Sequence, residues 1–117
     1  MRLARVEFLK KRLAKRYGII GRVAGRYVEA GYSVELSHPT RSGTIDVVAR
    51  KAGTIIAITV LHGSVKVTAS HVEEAARRAE HLNAKPVLVL YGRGPKVSQE
   101  AVAKAEELGV ELKRVRI

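Results

Sequence analysis

An α/β fold, with a central mixed β-sheet flanked by helices in two or three layers, is predicted for this 117-residue chain by two features of its sequence. The strand-like runs Thr44–Lys51 and Thr54–Leu61 are separated only by Ala52-Gly53, a hairpin-length link, so the early pairing is antiparallel. Beyond Ser70, helical and strand-like segments alternate, which implies crossover connections and parallel pairs. The length suits a single domain over residues 1–117.

The elements follow in order. Residues 2–16 predict a helix, because Leu3, Val6, Leu9 and Leu13 recur at three- and four-residue spacing among Arg and Lys. Tyr17-Gly18 interrupts it, and a second helix runs from about Ile20 to Ala30 with Val23, Ala24 and Tyr27 inward and Gly31 as its stop. Tyr32–Ser37 alternates as a first strand, and His38–Gly43, with Pro39, is expected to be a loop. After the hairpin, Ser70-His71-Val72-Glu73 has capping-box spacing and opens a helix to about Leu82. Lys85–Tyr91 is a strand, Gly92–Lys96 a loop, Ser98–Leu108 a helix stopped by Gly109, and Val110–Ile117 a last strand.

Composition narrows the chemistry. The chain has no Cys, which removes disulfides, thiolate metal sites and thiol catalysis. Its apolar runs are too short to span a membrane and its amino terminus lacks a signal-peptide pattern, so a cytoplasmic location without membrane association is the expectation. Trp is absent and Phe8 is the one Phe, which argues against base reading by stacked rings. Charge is the dominant signal: the net charge is +11, and Arg2, Arg5, Lys10, Lys11, Arg12, Lys15, Arg16, Arg22 and Arg26 crowd the first 26 residues against Glu7 alone. Such a surface attracts phosphate backbones. Thermophilic proteins are also rich in charged residues, but a general excess of that kind would be spread along the chain.

The run from Ile20 to Leu61 resembles the archaeal Holliday-junction resolvases and the wider restriction-endonuclease-like, PD-(D/E)XK nuclease superfamily. The likeness is carried by Gly31-Tyr32 at the entry to the first strand, by Gly43-Thr44-Ile45-Asp46-Val47-Val48-Ala49 in the second, by Ile55–Leu61 in the third, and by Ala84-Lys85-Pro86-Val87 later on. It covers roughly residues 18–91. The resemblance implies a helix glutamate, a second-strand Asp and a third-strand Glu-X-Lys. Here Ile20 falls at the helix position, Thr59 at the metal-binding Glu and Leu61 at the Lys, leaving Asp46 alone.

One carboxylate and a neutral hydroxyl make a poor magnesium site, and Leu61 can neither orient water nor neutralise charge. The resemblance therefore implies a degenerate member with no catalytic residue, metal or cofactor. Asp46 has two readings, a structural hydrogen-bond or salt-bridge partner and a residual metal ligand. His38, His62, His71 and His81 show no zinc spacing, and Gly92-Arg93-Gly94-Pro95-Lys96 is a weak match to a phosphate loop.

The expected function is non-catalytic binding of duplex or branched DNA, with RNA as a further possible ligand. The named cations of the first 26 residues would form the contact surface, extended by Arg41, Ser42, Arg50, Lys51 and Lys66. The resemblance also implies a homodimer, or a heteromer with a related active subunit. The alternatives are a structural or regulatory subunit that docks RNA or an acidic protein, and an active metal-dependent endonuclease with relocated ligands.

Overall fold

The computed structural model describes the backbone of residues 2–116 and the side chains of residues 4–116. Helix α1 (Arg2–Glu29) is followed by strands β1 (Ser33–Thr40), β2 (Gly43–Lys51), β3 (Thr54–His62) and β4 (Lys66–Val67). Helix α2 (Ala69–Glu80), β5 (Lys85–Tyr91), β6 (Lys96–Val97), α3 (Gln99–Leu108) and β7 (Glu111–Val115) complete the chain. The main sheet has the order β1-β2-β3-β5-β7, antiparallel on its first half and parallel from β3 onward. The mixed sheet with helices on both faces is the architecture the sequence predicts, in its three-layer form.

One layer is α1. Leu13, Val23, Ala24 and Val28 bury against Val47, Ala49, Ile58, Val60, Val87 and Val89 of the sheet. On the opposite face, Val72 of α2 and Ala101 and Ala105 of α3 pack on Leu88 and Leu90, and Ala79 packs on Ile45, Val48 and Ala57. Each fully buried Val or Leu contributes roughly 1.5–3 kcal/mol, so the aliphatic residues supply the cohesion that the scarce aromatics do not.

The two expected amino-terminal helices form one element with a break at Gly18, whose φ of 60° and ψ of −131° suit glycine alone. The arms fold back on each other. A methyl group at Gly21 would lie 1.9 Å from the Leu13 carbonyl oxygen, so only glycine permits this approach. Lys10 closes the hairpin by pairing with Glu29 of the other arm. Val6 and Leu13 pack inward as expected, whereas Leu9 is more exposed and Phe8 is 68% exposed.

Three boundaries differ from expectation. The segment His38–Gly43 is not a loop: β1 runs through Pro39 to Thr40, and only Arg41-Ser42 turns the chain into β2. Because β1 is an edge strand, the N–H that Pro39 lacks need not bond a second neighbour. Helix α2 is capped two residues earlier than Ser70, by Thr68, whose N–H donates to His71 Nδ1 at 3.0 Å. The last strand begins at Glu111 and ends at Val115, with Ile117 outside the described residues. Among the described residues, no helix is long and apolar enough to cross a membrane.

Candidate nucleic-acid interface

Strands β2 and β3 part company in mid-sheet. Their register pairs run from Lys51–Thr54 to Val47–Ile58 and stop there. Beyond that point, Ile45, Thr44 and Gly43 pair with β1 alone, and Thr59 to His62 pair with β5 alone. Asp46 stands at the fork. Its Oδ2 accepts the Val60 main-chain N–H at 2.8 Å, supplying the acceptor that the ended ladder no longer provides. Ser37, across β1 from Asp46, has a φ of 57°, so the backbone is distorted on this side as well.

Burial pushes the Asp46 carboxyl above its ordinary value, while the Val60 N–H and the charges of Arg78 and His62 pull it back. Arg78 reaches this corner from α2. Its Nε donates to the Ser42 carbonyl at 3.2 Å, and its Nη2 donates to Glu74 one helical turn away at 3.2 Å. Ser42 Oγ also hydrogen-bonds His81 Nε2 at 2.8 Å. Thus α2 clamps the β1–β2 turn just ahead of Asp46. Arg78 was not singled out from sequence, although its Glu74 partner at i,i−4 marks that helix face.

The four positions matched to nuclease chemistry are distributed between the two faces of the sheet. Ile20 packs into the cluster under α1, whereas Leu61 packs into the cluster under α2 and α3. Thr59 lies two residues from Leu61 on the same face of β3. Among the described residues, no three His, Asp or Glu side chains are grouped so as to hold a metal ion.

The cations also separate into two groups. Lys10, Lys11, Arg22 and Arg26 of α1 line a groove of about 400 Å³ with Glu7, Tyr91 and Arg116. Tyr91 ends β5, so this groove lies at the carboxyl end of the parallel strands. Lys10 is drawn toward Glu29 and Glu7, while Lys11, Arg22 and Arg26 are exposed. Arg5, Arg12, Lys15 and Arg16 are exposed on the first arm of α1, Arg16 over the Tyr17 ring at 5.5 Å. The Arg2 side chain lies outside the described residues. Arg41 and Ser42 form the β1–β2 turn, and Lys66 follows β3, both at the Asp46 end of the sheet.

Arg50 and Lys51 lie at the other end. Arg50 pairs with Glu35 at 3.1 Å, and Lys51 donates to the Ala30 carbonyl at 2.8 Å with its ammonium over the Tyr32 ring. The expected surface therefore divides: Arg41, Ser42 and Lys66 lie at the Asp46 end, whereas Lys10, Arg50 and Lys51 serve contacts within the molecule. Arg116 joins the groove without having been anticipated, because only the fold brings residue 116 beside residues 22 and 26.

The family model described as a PD-(D/E)XK superfamily domain matches residues 16–110. No curated protein matches the sequence. Among solved structures, a repair endonuclease from Pyrococcus abyssi is 20% identical with a TM-score of 0.62, covering 94% of this chain and 46% of its own. A crystallised protein of unknown function gives 20% identity and a TM-score of 0.64, covering 79% of this chain and 54% of its own. The EndoMS–dsDNA2 complex gives 16% and 0.57, covering 78% and 39%. The chain thus spans about half the length, or less, of the structures it is similar to.

Proposed function

The chain belongs to the PD-(D/E)XK superfamily, and from that membership we propose that it is a non-catalytic nucleic-acid-binding protein, directed at duplex or branched DNA. The observation that carries the proposal is the fork at Asp46. One carboxylate stands there, with one oxygen already accepting the Val60 N–H and with Thr59 and Leu61 nearby on β3. A hard divalent cation takes oxygen ligands, usually more than one of them carboxylate, and this donor set does not fit it. The superfamily's metal chemistry therefore contributes no step here.

What the same end of the sheet does offer is positive charge. Lys11, Arg22, Arg26 and Arg116 border one groove, and Arg41 and Lys66 lie off neighbouring strand ends. Such groups hold phosphates without reading bases, so binding would follow nucleic-acid shape more than sequence. The solved structures it is similar to include a repair endonuclease and a complex with double-stranded DNA, which supports the choice of DNA.

The test is fluorescence anisotropy with a labelled duplex, a four-way junction and a structured RNA, over a range of salt and with magnesium or manganese. The proposal predicts binding that weakens steeply with salt and leaves every strand intact. Preference for RNA over both DNAs would favour a ribonucleoprotein subunit instead, and metal-dependent cleavage lost on Asp46→Ala would favour an active enzyme.

A further inference from the structure

Beyond the carboxyl ends of β3 and β5, the chain makes the same short construction twice. Ser64-Val65-Lys66-Val67-Thr68 leads into α2, and Gly94-Pro95-Lys96-Val97-Ser98 leads into α3. The two-residue strands β4 and β6 pair in parallel, Lys66 beside Lys96 and Val67 beside Val97. Lys96 N–H donates to the Val65 carbonyl at 2.8 Å, and Ser98 N–H to the Val67 carbonyl at 3.1 Å. Val67 is fully buried with Val72, Leu88 and Ala101, and Val97 packs against them. Side chains alternate along a strand, so the lysines face outward. They line a surface cavity of about 420 Å³ with Ser64, Gly94 and Ser98. Gly94 permits the two loops to meet, since a methyl group there would lie 2.3 Å from the Gly63 carbonyl oxygen.

Residues opposite each other on neighbouring strands stand about 5 Å apart, and like charges so placed repel. Among the described residues, neither Lys66 nor Lys96 has a carboxylate in salt-bridge range, whereas Lys85 and Lys104 each have one and Lys10 has two. The fold thus sets two lysines without carboxylate partners side by side in register. An oxyanion between them would accept hydrogen bonds from both and remove the repulsion.

We propose that Lys66 and Lys96 clamp one phosphate of a nucleic-acid strand. Ser98 Oγ accepts the Ala101 N–H at 3.1 Å, which leaves its own proton free to donate to the same phosphate. The proposal rests on the nucleic-acid reading above and gives it a second contact. Tyr91, which pairs with His62 at the end of the β3–β5 ladder, also lines the Arg22–Arg26–Arg116 groove. The clamp and the groove therefore flank one end of the sheet, where open α/β sheets receive ligands. An internal strand phosphate and a free phosphate ion share this chemistry, and the experiment separates them.

Anisotropy titrations of wild type and of the Lys66→Ala/Lys96→Ala double variant, with duplex DNA lacking terminal phosphates, read the clamp directly. The expected result is a roughly tenfold weaker complex at low salt, with the slope of log affinity against log salt reduced by about one. Each single variant is expected to lose most of this, because both lysines hold the same phosphate. Thermal melting supplies the folding control: with the repulsion gone, the double variant should melt no lower than wild type. If it does not fold, Lys96→Gln alone gives the same readout. Unchanged affinity and slope in a DNA-binding protein overturns the clamp and leaves the groove reading standing. Absence of wild-type binding overturns both. If inorganic phosphate raises the wild-type melting temperature, but not the variant's, while the DNA slope is unchanged, the site takes free phosphate and the strand clamp is overturned.

Discussion

The Asp46 carboxylate accepts the Val60 main-chain N–H at 2.8 Å, at the point where the β2–β3 ladder ends. A position that resembles a metal ligand is thereby tied to the backbone of the adjacent strand. Asp46→Ala leaves that N–H without its acceptor, and a loss of about 1–3 kcal/mol is expected. Asp46→Asn keeps an acceptor oxygen and should cost much less. Urea unfolding of both variants checks the difference, and equal losses would contradict the structural role.

The same carboxyl gives a pH signature. Burial raises its value in the folded state, so the folded chain binds the proton more tightly than the unfolded chain does. Its contribution to stability is therefore greatest at low pH and falls as pH rises through the window above the ordinary Asp value. The stability of wild type minus that of Asp46→Asn, followed between about pH 3 and 6, should decline with pH. Arg78→Met should enlarge the decline, because Arg78 draws the carboxyl down. A rising difference would contradict the assignment.

The groove makes an electrostatic prediction. Arg22→Ala/Arg26→Ala should weaken duplex binding and reduce the salt slope by about two, whereas Arg50→Ala, paired with Glu35 at the opposite end of the sheet, should change neither much. Titrations at several salt concentrations distinguish the ends. Equal effects would mean that the cations act as diffuse charge.

The fold of α1 depends on close helix approach. Gly21→Ala places a methyl group against the Leu13 carbonyl, and forcing the arms apart should cost about 1–3 kcal/mol or more. Thermal unfolding measures it, and a neutral effect would mean that the arms separate freely at Gly18.

The sheet and helices were legible because their signals are local. Alternation marked β1, the Ala52-Gly53 link marked the β2–β3 hairpin, and Ser98 and Gly109 bracketed α3. The errors arose where a neighbour overrode local preference. Pro39 reads as a loop residue but is carried along an edge strand, and Thr68 caps α2 ahead of Ser70 because β4 delivers the chain there. Asp46, Thr59 and Leu61 could be placed on strands, but the fork and its Val60 hydrogen bond are long-range properties. So are the Lys66–Lys96 register and the approach of Arg116 to Arg22 and Arg26. The crowding of cations in α1 could be counted from sequence, yet which of them share a groove depended on Gly18, Gly21 and the fold-back they permit.

Replacing the missing donor offers a constructive check. Thr59→Glu adds a second carboxylate on β3 near Asp46, so manganese affinity, measured by calorimetry, should rise above that of wild type. If wild type already binds manganese tightly, and Asp46→Ala removes that binding, the donor set has been misjudged.

The most direct measurement follows two quantities in one reaction: the bound fraction and the strand length of a labelled four-way junction and a duplex, incubated with the purified chain and manganese. The account predicts retarded complexes that dissolve as salt increases and strands that remain full length. Shortened strands, with cutting abolished by Asp46→Ala, or no complex at physiological salt, would contradict it.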